Sequence, residues 1–178
     1  MFKNKRQSGF SLLELLVVIG IIGLLASIIV VNLTGARKRA RDTKRVADIR
    51  NIQTANEDYY GKYGKYPATI ADLVSGGQIP MWPFDPLAPA GTSCTANSDL
   101  CYWYATYTPS GALGPQSYHI GGSLEEQGSM LLNQDRDCDS TTGTSCPYNS
   151  AYTDGFNGAD DAAGCGGADS RYCYDIAQ

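Results

Sequence analysis

Histidine is almost missing from this chain: His119 is the only one in 178 residues. No G-x-S-x-G, no H-E-x-x-H and no phosphate-cradling loop occurs either, which removes the usual nucleophile–base pair, zinc peptidase centre and nucleotide site. The adjacent acids Glu125-Glu126 and Asp160-Asp161 read as solvated runs and supply no acid/base dyad, so an enzyme is not expected. Basic residues nearly vanish beyond residue 66. Residues 67–178 hold 2 Lys/Arg against 13 Asp/Glu, whereas residues 1–66 hold 12 against 5. A body so acidic repels phosphate backbones, so no nucleic acid partner is expected for it. Cysteine is absent before Cys94, and proline is absent from the apolar segment near the N-terminus, where nothing predicts a kink.

That apolar segment organises the rest. From Leu15 to Val31 only Ser27 is polar, and Phe10 to Leu33 makes 24 residues. At about 1.5 Å per residue a helix of that length reaches roughly 36 Å, enough to cross a bilayer. Before it lies a short basic piece, Met1 to Ser8, with Lys3, Lys5 and Arg6. A secretory signal has a shorter apolar region ending in small residues. A core helix would need wrapping on all sides, and the remainder is too polar for that. A plain anchor fits the length but leaves Glu14 unexplained, since an intramembrane carboxylate costs on the order of a few kcal/mol and normally has a partner. Cleavage between Gly9 and Phe10 would create an α-amine four residues before Glu14. Amine and carboxylate would then lower each other's burial cost, and pairing between copies would set the register of packed helices.

Gly9-Phe10-Ser11-Leu12-Leu13-Glu14-Leu15-Leu16-Val17-Val18-Ile19 resembles the N-terminal signature of type IV pilins and type II secretion pseudopilins. The resemblance implies that a prepilin peptidase cleaves after Gly9 and N-methylates Phe10, and that Glu14 serves filament assembly. It implies an α+β, pilin-like fold: a long, partly transmembrane N-terminal helix packed against a small antiparallel β-sheet, with a disulfide-stapled C-terminal loop region. The implied partners are the peptidase, identical or related pilin subunits, an assembly platform membrane protein and the inner membrane. The implied location is a single pass in the inner membrane with a cytoplasmic N-terminus and an extracytoplasmic head, then a periplasmic or extracellular filament. The expected function is a structural subunit of a type IV pilus-like or secretion pseudopilus filament. The alternative is a minor or non-polymerising anchored module whose acidic C-terminal region recognises a partner.

Six cations, Arg37, Lys38, Arg39, Arg41, Lys44 and Arg45, follow the apolar segment, against three in the leader. The positive-inside rule alone would put that flank in the cytoplasm. Six cysteines beyond it, Cys94, Cys101, Cys138, Cys146, Cys165 and Cys173, argue for the opposite orientation, because an even count in a Gly/Ser/Asp-rich region points to disulfides in an oxidising space. Six cysteines allow 15 connectivities. We favour neighbour pairing; a zinc site lacks any C-x-x-C. On this orientation the basic flank pairs with acidic bodies of neighbouring subunits or with lipid head groups.

The expected order is leader 1–9, membrane or assembly helix 10–33, amphipathic helix 34–60, loop with a short helix 61–100, β-hairpin 101–125 and Cys/Asp-rich region 126–178. Ala36, Ala40, Thr43 and Ala47 form a small-residue stripe, and Val46, Ile49, Ile52, Ala55 and Tyr59 share an apolar face, with the Arg, Lys, Asp and Asn residues on the polar side. The Tyr59–Pro67 stretch ends the helix and resembles the tyrosine-rich, Tyr-Pro-terminated segment of pseudopilins. Thr69-Ile70-Ala71-Asp72 reads as a capping box, closed by Gly76-Gly77. Residues 79–86 form an irregular connection resembling the family's Pro-x-Asp-Pro, whose apolar residues cover the sheet edge. Cys101–Tyr107 and Gln116–Glu125 read as strands, the second with Tyr118, Ile120 and Leu124 in phase. His119 falls out of phase and reads as a surface residue. The tail is expected to owe its order to its staples. No cofactor is required, but Asp135, Asp137 and Asp139 have calcium-loop spacing that Asp154 and Asp160 would complete, although the full EF-hand pattern is absent.

Overall fold

The computed structural model describes residues 10–94, 97, 98, 100–127, 130–158, 164–166 and 171–178, without the side chains of 28–32. The chain divides into two compact units, Met1–Lys38 and Arg39–Gln178. Helix α1, Leu12–Tyr63, contributes to both.

In the first unit the described large apolar side chains from Phe10 to Leu25 are all exposed, from 47% at Val18 to 85% at Phe10. Among the described residues no helix is long and apolar enough to cross a membrane. The span expected over 10–33 runs through 28–32, whose side chains lie outside the described set.

In the second unit α1 continues three residues beyond the expected Tyr60. It ends where Gly64 turns left-handed (φ 68°) and donates its N–H to the Tyr60 carbonyl at 2.8 Å. A left-handed glycine is the least strained way to satisfy a terminal carbonyl. Gly61 lies inside the helix and does not break it. Helix α2, Ile70–Ser75, begins as expected, with the Asp72 carboxylate accepting the Thr69 backbone N–H at 2.8 Å and its hydroxyl at 3.0 Å.

The sheet has three antiparallel strands in the order β1 (Trp103–Tyr107), β2 (Ser117–Leu124), β3 (Tyr172–Ala177). Its third strand comes from the tail, which was expected to hold only loops. Registers Tyr104↔Ile120↔Ile176 and Ala105↔His119↔Ala177 sort the side chains onto two faces. On one face Tyr104, Tyr118, Ile120, Leu124 and Tyr174 pack with Val46, Ile49, Ile52 and Ala55 of α1, closed at the side by Ile70, Leu73 and Trp82. Trp82 meets Tyr104 edge-on at 5.8 Å and donates its indole N–H to the Cys101 carbonyl at 2.6 Å, so the irregular 79–86 segment does cover the sheet edge. Hydroxyls of Tyr102, Tyr104 and Tyr118 reach Asp48, Asn56 and Glu57 of α1 at 2.9, 2.9 and 2.8 Å.

The opposite face is covered too. Ala105, Tyr152, Phe156, Ala177 and the disulfides Cys138–Cys146 and Cys165–Cys173 form a second core. Cys94–Cys101 completes the neighbour pairing. Because the tail folds over this face, His119 is not the surface residue its phase indicated: it is fully buried and stacked on Phe156 at 3.8 Å.

The basic flank also departs from expectation. The small stripe Ala36, Ala40, Thr43 and Ala47 is exposed, whereas Asp42, Arg45 and Asn56, placed by sequence on the polar side, are buried. Arg45 clamps Asp85 with Nε to Oδ2 at 2.7 Å and Nη2 to Oδ1 at 2.9 Å, and its Nη1 reaches Asp42 at 2.6 Å and Glu125 at 2.7 Å. Arg41 grips Glu125 at 2.7 and 2.6 Å, and Arg171 meets Asp85 at 3.0 Å. Arg39 pairs with Glu126 and Lys44 with Asp48. These four cations of the flank are therefore paired with the chain's own acids. Asp42 also accepts the N–H groups of Glu125 and Glu126 at 2.9 and 3.0 Å, fastening the end of β2 to α1.

Hydrogen bonds from Arg41 and Arg45 outweigh burial and hold the Glu125 carboxyl down at about 2. For Asp85, burial pushes up, but Arg45, the Leu87 N–H and Arg171 together hold it below its ordinary value. A depressed carboxyl contributes stability present above its unfolded pKa and lost as pH falls through the folded one. The folded chain should therefore lose stability between about pH 4.5 and pH 2, and a melting temperature flat across that window would contradict the network. Arg45→Ala leaves Asp42 buried without its cation and Asp85 with Arg171 alone, and should cost about 3–5 kcal/mol in denaturant unfolding.

Candidate functional site

Two places carry unusual chemistry, one in each unit. The first is the start of α1. Ser11 sits before the first helical residue and Glu14 three positions later. The Ser11 hydroxyl accepts the Leu13 N–H at 3.3 Å, and Glu14 Oε2 accepts the Ser11 N–H at 2.9 Å. This is a reciprocal cap, legible in the sequence as S-x-x-E yet not recognised there. A carboxylate in the first turn also faces the positive end of the helix dipole. Glu14 therefore has a partner within its own chain. Oε1 makes no hydrogen bond or ion pair among the described residues. Phe10, the residue expected to become the new chain end, is exposed; Gly9 lies outside the described residues.

The second is a fully buried Ser–His–Asp array. His119 on β2 places Nε2 2.9 Å from Asp175 Oδ2 on β3, and Nδ1 2.7 Å from the Ser140 hydroxyl. Burial pushes the imidazole pKa down although Asp175 opposes it, so His119 is neutral at pH 7. A carboxylate can only accept, so Nε2 carries the hydrogen and Nδ1 accepts the Ser140 O–H. Ser140 in turn accepts the Phe156 N–H at 2.9 Å. Asp175 accepts three consecutive backbone N–H groups, those of Arg136 (3.1 Å), Asp137 (2.9 Å) and Cys138 (3.0 Å). All three side chains are sealed from solvent, with no accessible surface. The array thus has the residue types of a hydrolase triad without an exposed nucleophile, and its donors and acceptors are used to pin the tail to the sheet. The signal that would have revealed it is the alternation Tyr172, Tyr174, Ile176, which marks a strand and puts Asp175 on the second face.

Among the described residues the aspartates with calcium-loop spacing form no metal cluster. Among the described residues the one cluster of three potential metal ligands is His119, Cys138 and Asp175, and Cys138 is held in its disulfide. The Asp139 carboxylate instead accepts from the Thr141 N–H at 3.0 Å and the Thr142 hydroxyl at 2.6 Å. Asp137 and Asp154 occupy left-handed turns (φ 52° and 58°). Asp135 joins no metal cluster among the described residues, and Asp160 lies outside them. The tyrosines at the end of α1 serve packing, with Tyr59 on Tyr63, Tyr60 on Tyr66 and Tyr66 edge-on to Tyr118, at centroid distances of 4.4, 4.7 and 4.7 Å.

The family described as the prokaryotic N-terminal methylation motif matches residues 4–30. The chain is similar to the type II secretion system core protein G of Aeromonas hydrophila, 45% identical over 71 residues that cover 40% of this chain and 50% of the relative. The same protein of Escherichia coli is 43% identical over 88 residues, 49% of this chain and 59% of the relative. The type IV wide pilus major component PilA4 of Thermus thermophilus is 40% identical over 73 residues, 41% of this chain and 56% of the relative. The chain spans about half the length of the curated relatives it matches. No solved structure matches it. The chain carries the N-terminal methylation motif on a pilin-like α+β fold, and over 40–49% of its length it is similar to type II secretion core protein G and to a type IV pilus major component.

Proposed function

We propose that this chain is a structural subunit of a pseudopilus or type IV pilus-like filament, held in the inner membrane by its N-terminal helix, cleaved after Gly9 and polymerised through that helix. The observation that carries the proposal is Glu14, a lone carboxylate in an apolar stretch that bears the methylation motif. One of its oxygens caps its own helix; the other has no partner among the described residues. Removal of residues 1–9 would place an ammonium at Phe10, and that ammonium on an adjacent copy is a fitting partner for Oε1. The exposed apolar side chains of Phe10 to Leu25 must be covered, by lipid before assembly and by neighbouring helices after it.

Three disulfides favour a head on the oxidising side of the membrane. The basic flank opposes this less than its charge count implies. Arg39, Arg41, Lys44 and Arg45 are compensated within the folded chain, leaving Arg37 and Lys38 next to the apolar stretch without an ion-pair partner among the described residues. A prepilin peptidase, further subunits and an assembly platform protein are the partners this reading requires; it requires no cofactor.

Glu14→Ala should keep the protein in the membrane fraction and abolish its incorporation into filaments, as judged by electron microscopy with a tagged copy. Filaments of normal abundance would leave a simple anchored module as the better reading. Intact mass of the native protein should correspond to a chain starting at methylated Phe10. A chain still starting at Met1 would remove the processing step.

A further inference from the structure

On the second face of the sheet, His119, Asp175 and Cys138 bring an imidazole nitrogen, a carboxylate oxygen and a sulfur within 4.8 Å of one another, and all three residues are fully buried. In the folded chain that sulfur is bonded to Cys146. We propose that opening this disulfide turns the buried array into a zinc site, with His119 Nε2, Asp175 Oδ2 and the Cys138 thiolate as ligands, so that zinc and the disulfide are alternative fasteners for the same loop. The site lies within the second unit and is independent of N-terminal processing and of polymerisation.

The donor set selects the metal. Calcium takes oxygen ligands, whereas zinc takes thiolate, imidazole and carboxylate, and three such side chains with water in the fourth place are a common coordination. Charge agrees with this. Thiolate and carboxylate together carry two negative charges, which one Zn²⁺ neutralises, and a dry interior tolerates a neutral group best.

The surroundings already suit the zinc-bound state. His119 Nε2 donates its hydrogen to Asp175 Oδ2 at 2.9 Å. A metal between the two needs that hydrogen moved to Nδ1, where it must find an acceptor. Ser140 provides one. Its hydroxyl oxygen lies 2.7 Å from Nδ1 and 3.0 Å from the Phe156 carbonyl oxygen. In the present tautomer the hydroxyl donates to Nδ1. In the other it accepts from Nδ1 and turns its hydrogen to the Phe156 carbonyl, so both ring nitrogens and the hydroxyl are satisfied either way. Asp175 keeps its place throughout: Oδ1 accepts the N–H groups of Arg136 and Asp137, and Oδ2 accepts that of Cys138. The last bond ties the cysteine's backbone to the carboxylate with which its sulfur would share the metal. Stacking on Phe156 fixes the plane of the imidazole. On the other side of the disulfide, Cys146 Sγ is 3.4 Å from the Thr144 carbonyl oxygen, an acceptor for the thiol that opening creates.

Two electrons and two protons convert the disulfide into two thiols. With a trialkylphosphine as reductant, the phosphine becomes its oxide by taking the oxygen of one water, whose hydrogens supply the protons. Zinc then displaces the proton of the Cys138 thiol to solvent, while the imidazole hydrogen only moves from Nε2 to Nδ1.

The test uses the full chain carrying Cys146→Ser, which frees the Cys138 thiol and leaves the other two disulfides in place, with Co²⁺ as the spectroscopic stand-in for Zn²⁺. Co²⁺ should bind at one equivalent and give a thiolate-to-cobalt charge-transfer band. Zn²⁺ should bleach that band and raise the variant's melting temperature. The untreated wild-type chain should show no band and should gain one after phosphine treatment. Cys138→Ser, which leaves Cys146 as the free thiol, should show none. In the Cys146→Ser background, Ser140→Ala should weaken Co²⁺ binding by about 10–100-fold, the cost of losing an outer-shell partner, and His119→Gln by more. A folded Cys146→Ser chain without the band, an equal band in Cys138→Ser, or unchanged affinity in His119→Gln would each overturn the proposal. So would an unfolded Cys146→Ser chain that gains no melting transition with Zn²⁺, because a zinc site adds its binding free energy to folding.

Discussion

The buried guanidinium of Arg45 is the constraint on which the second unit rests. Taking a charge out of water costs several kcal/mol, and only excellent geometry with opposite charges offsets it. Here the geometry is supplied from three separate parts of the chain. Asp42 comes from one turn earlier on α1, Asp85 from the proline-broken connection, and Glu125 from the end of β2. Arg41 and Arg171 balance the carboxylates, so three cations face three anions. None of those parts can shift without breaking an ion pair to the buried Arg45. The network therefore specifies position more than it adds net stability. It sets the register of β2 along α1, and with it the match of Tyr102, Tyr104 and Tyr118 to Asp48, Asn56 and Glu57.

The two faces of the sheet are stabilised by different means. The face toward α1 has enough Ile, Val, Leu and Tyr to bury an ordinary apolar core. The tail that covers the other face is rich in Gly, Asp, Ser and Thr and supplies few large apolar groups, chiefly Tyr152 and Phe156. It is fastened by two disulfides and by the Asp175 carboxylate, which accepts three backbone N–H groups as well as the His119 N–H. Disulfides limit the unfolded chain, whereas the carboxylate orders the folded loop. Small domains with too little apolar surface need such devices, and this face behaves as one.

Elements with their own periodicity were legible from sequence: α1, α2 with its Thr69–Asp72 cap, β1 and β2 all lie close to where propensity and punctuation put them. What failed did so where long-range contacts override local pattern. His119 is polar and out of phase, which marks a surface residue only if one face of the strand meets water; the tail removes that condition. Asp42, Arg45 and Asn56 lie on the apolar stripe by spacing, but side-chain type outweighed position in assigning them to the polar side. Nothing local to Asp85 or Glu125 reveals that their partners lie 40 and 80 residues earlier. Glu14 is legible as an anomaly, but its cap to Ser11 rests on a short S-x-x-E pattern inside an apolar run, where a carboxylate points as readily to a distant partner as to a near one.

That last point bears on how a single carboxylate can serve both folding and assembly. An unpaired acid in apolar surroundings would weaken the segment that holds it. By accepting the Ser11 N–H, Glu14 satisfies a donor the helix would otherwise leave open and places its charge at the favourable end of the dipole. The cap uses one oxygen and one lone-pair direction, and the second oxygen has no partner among the described residues. A cation arriving from elsewhere would thus meet an acid already oriented by its own helix. Pre-orientation lowers the ordering cost of association. The same geometry that makes Glu14 tolerable in an isolated chain is what would make it an effective contact between chains.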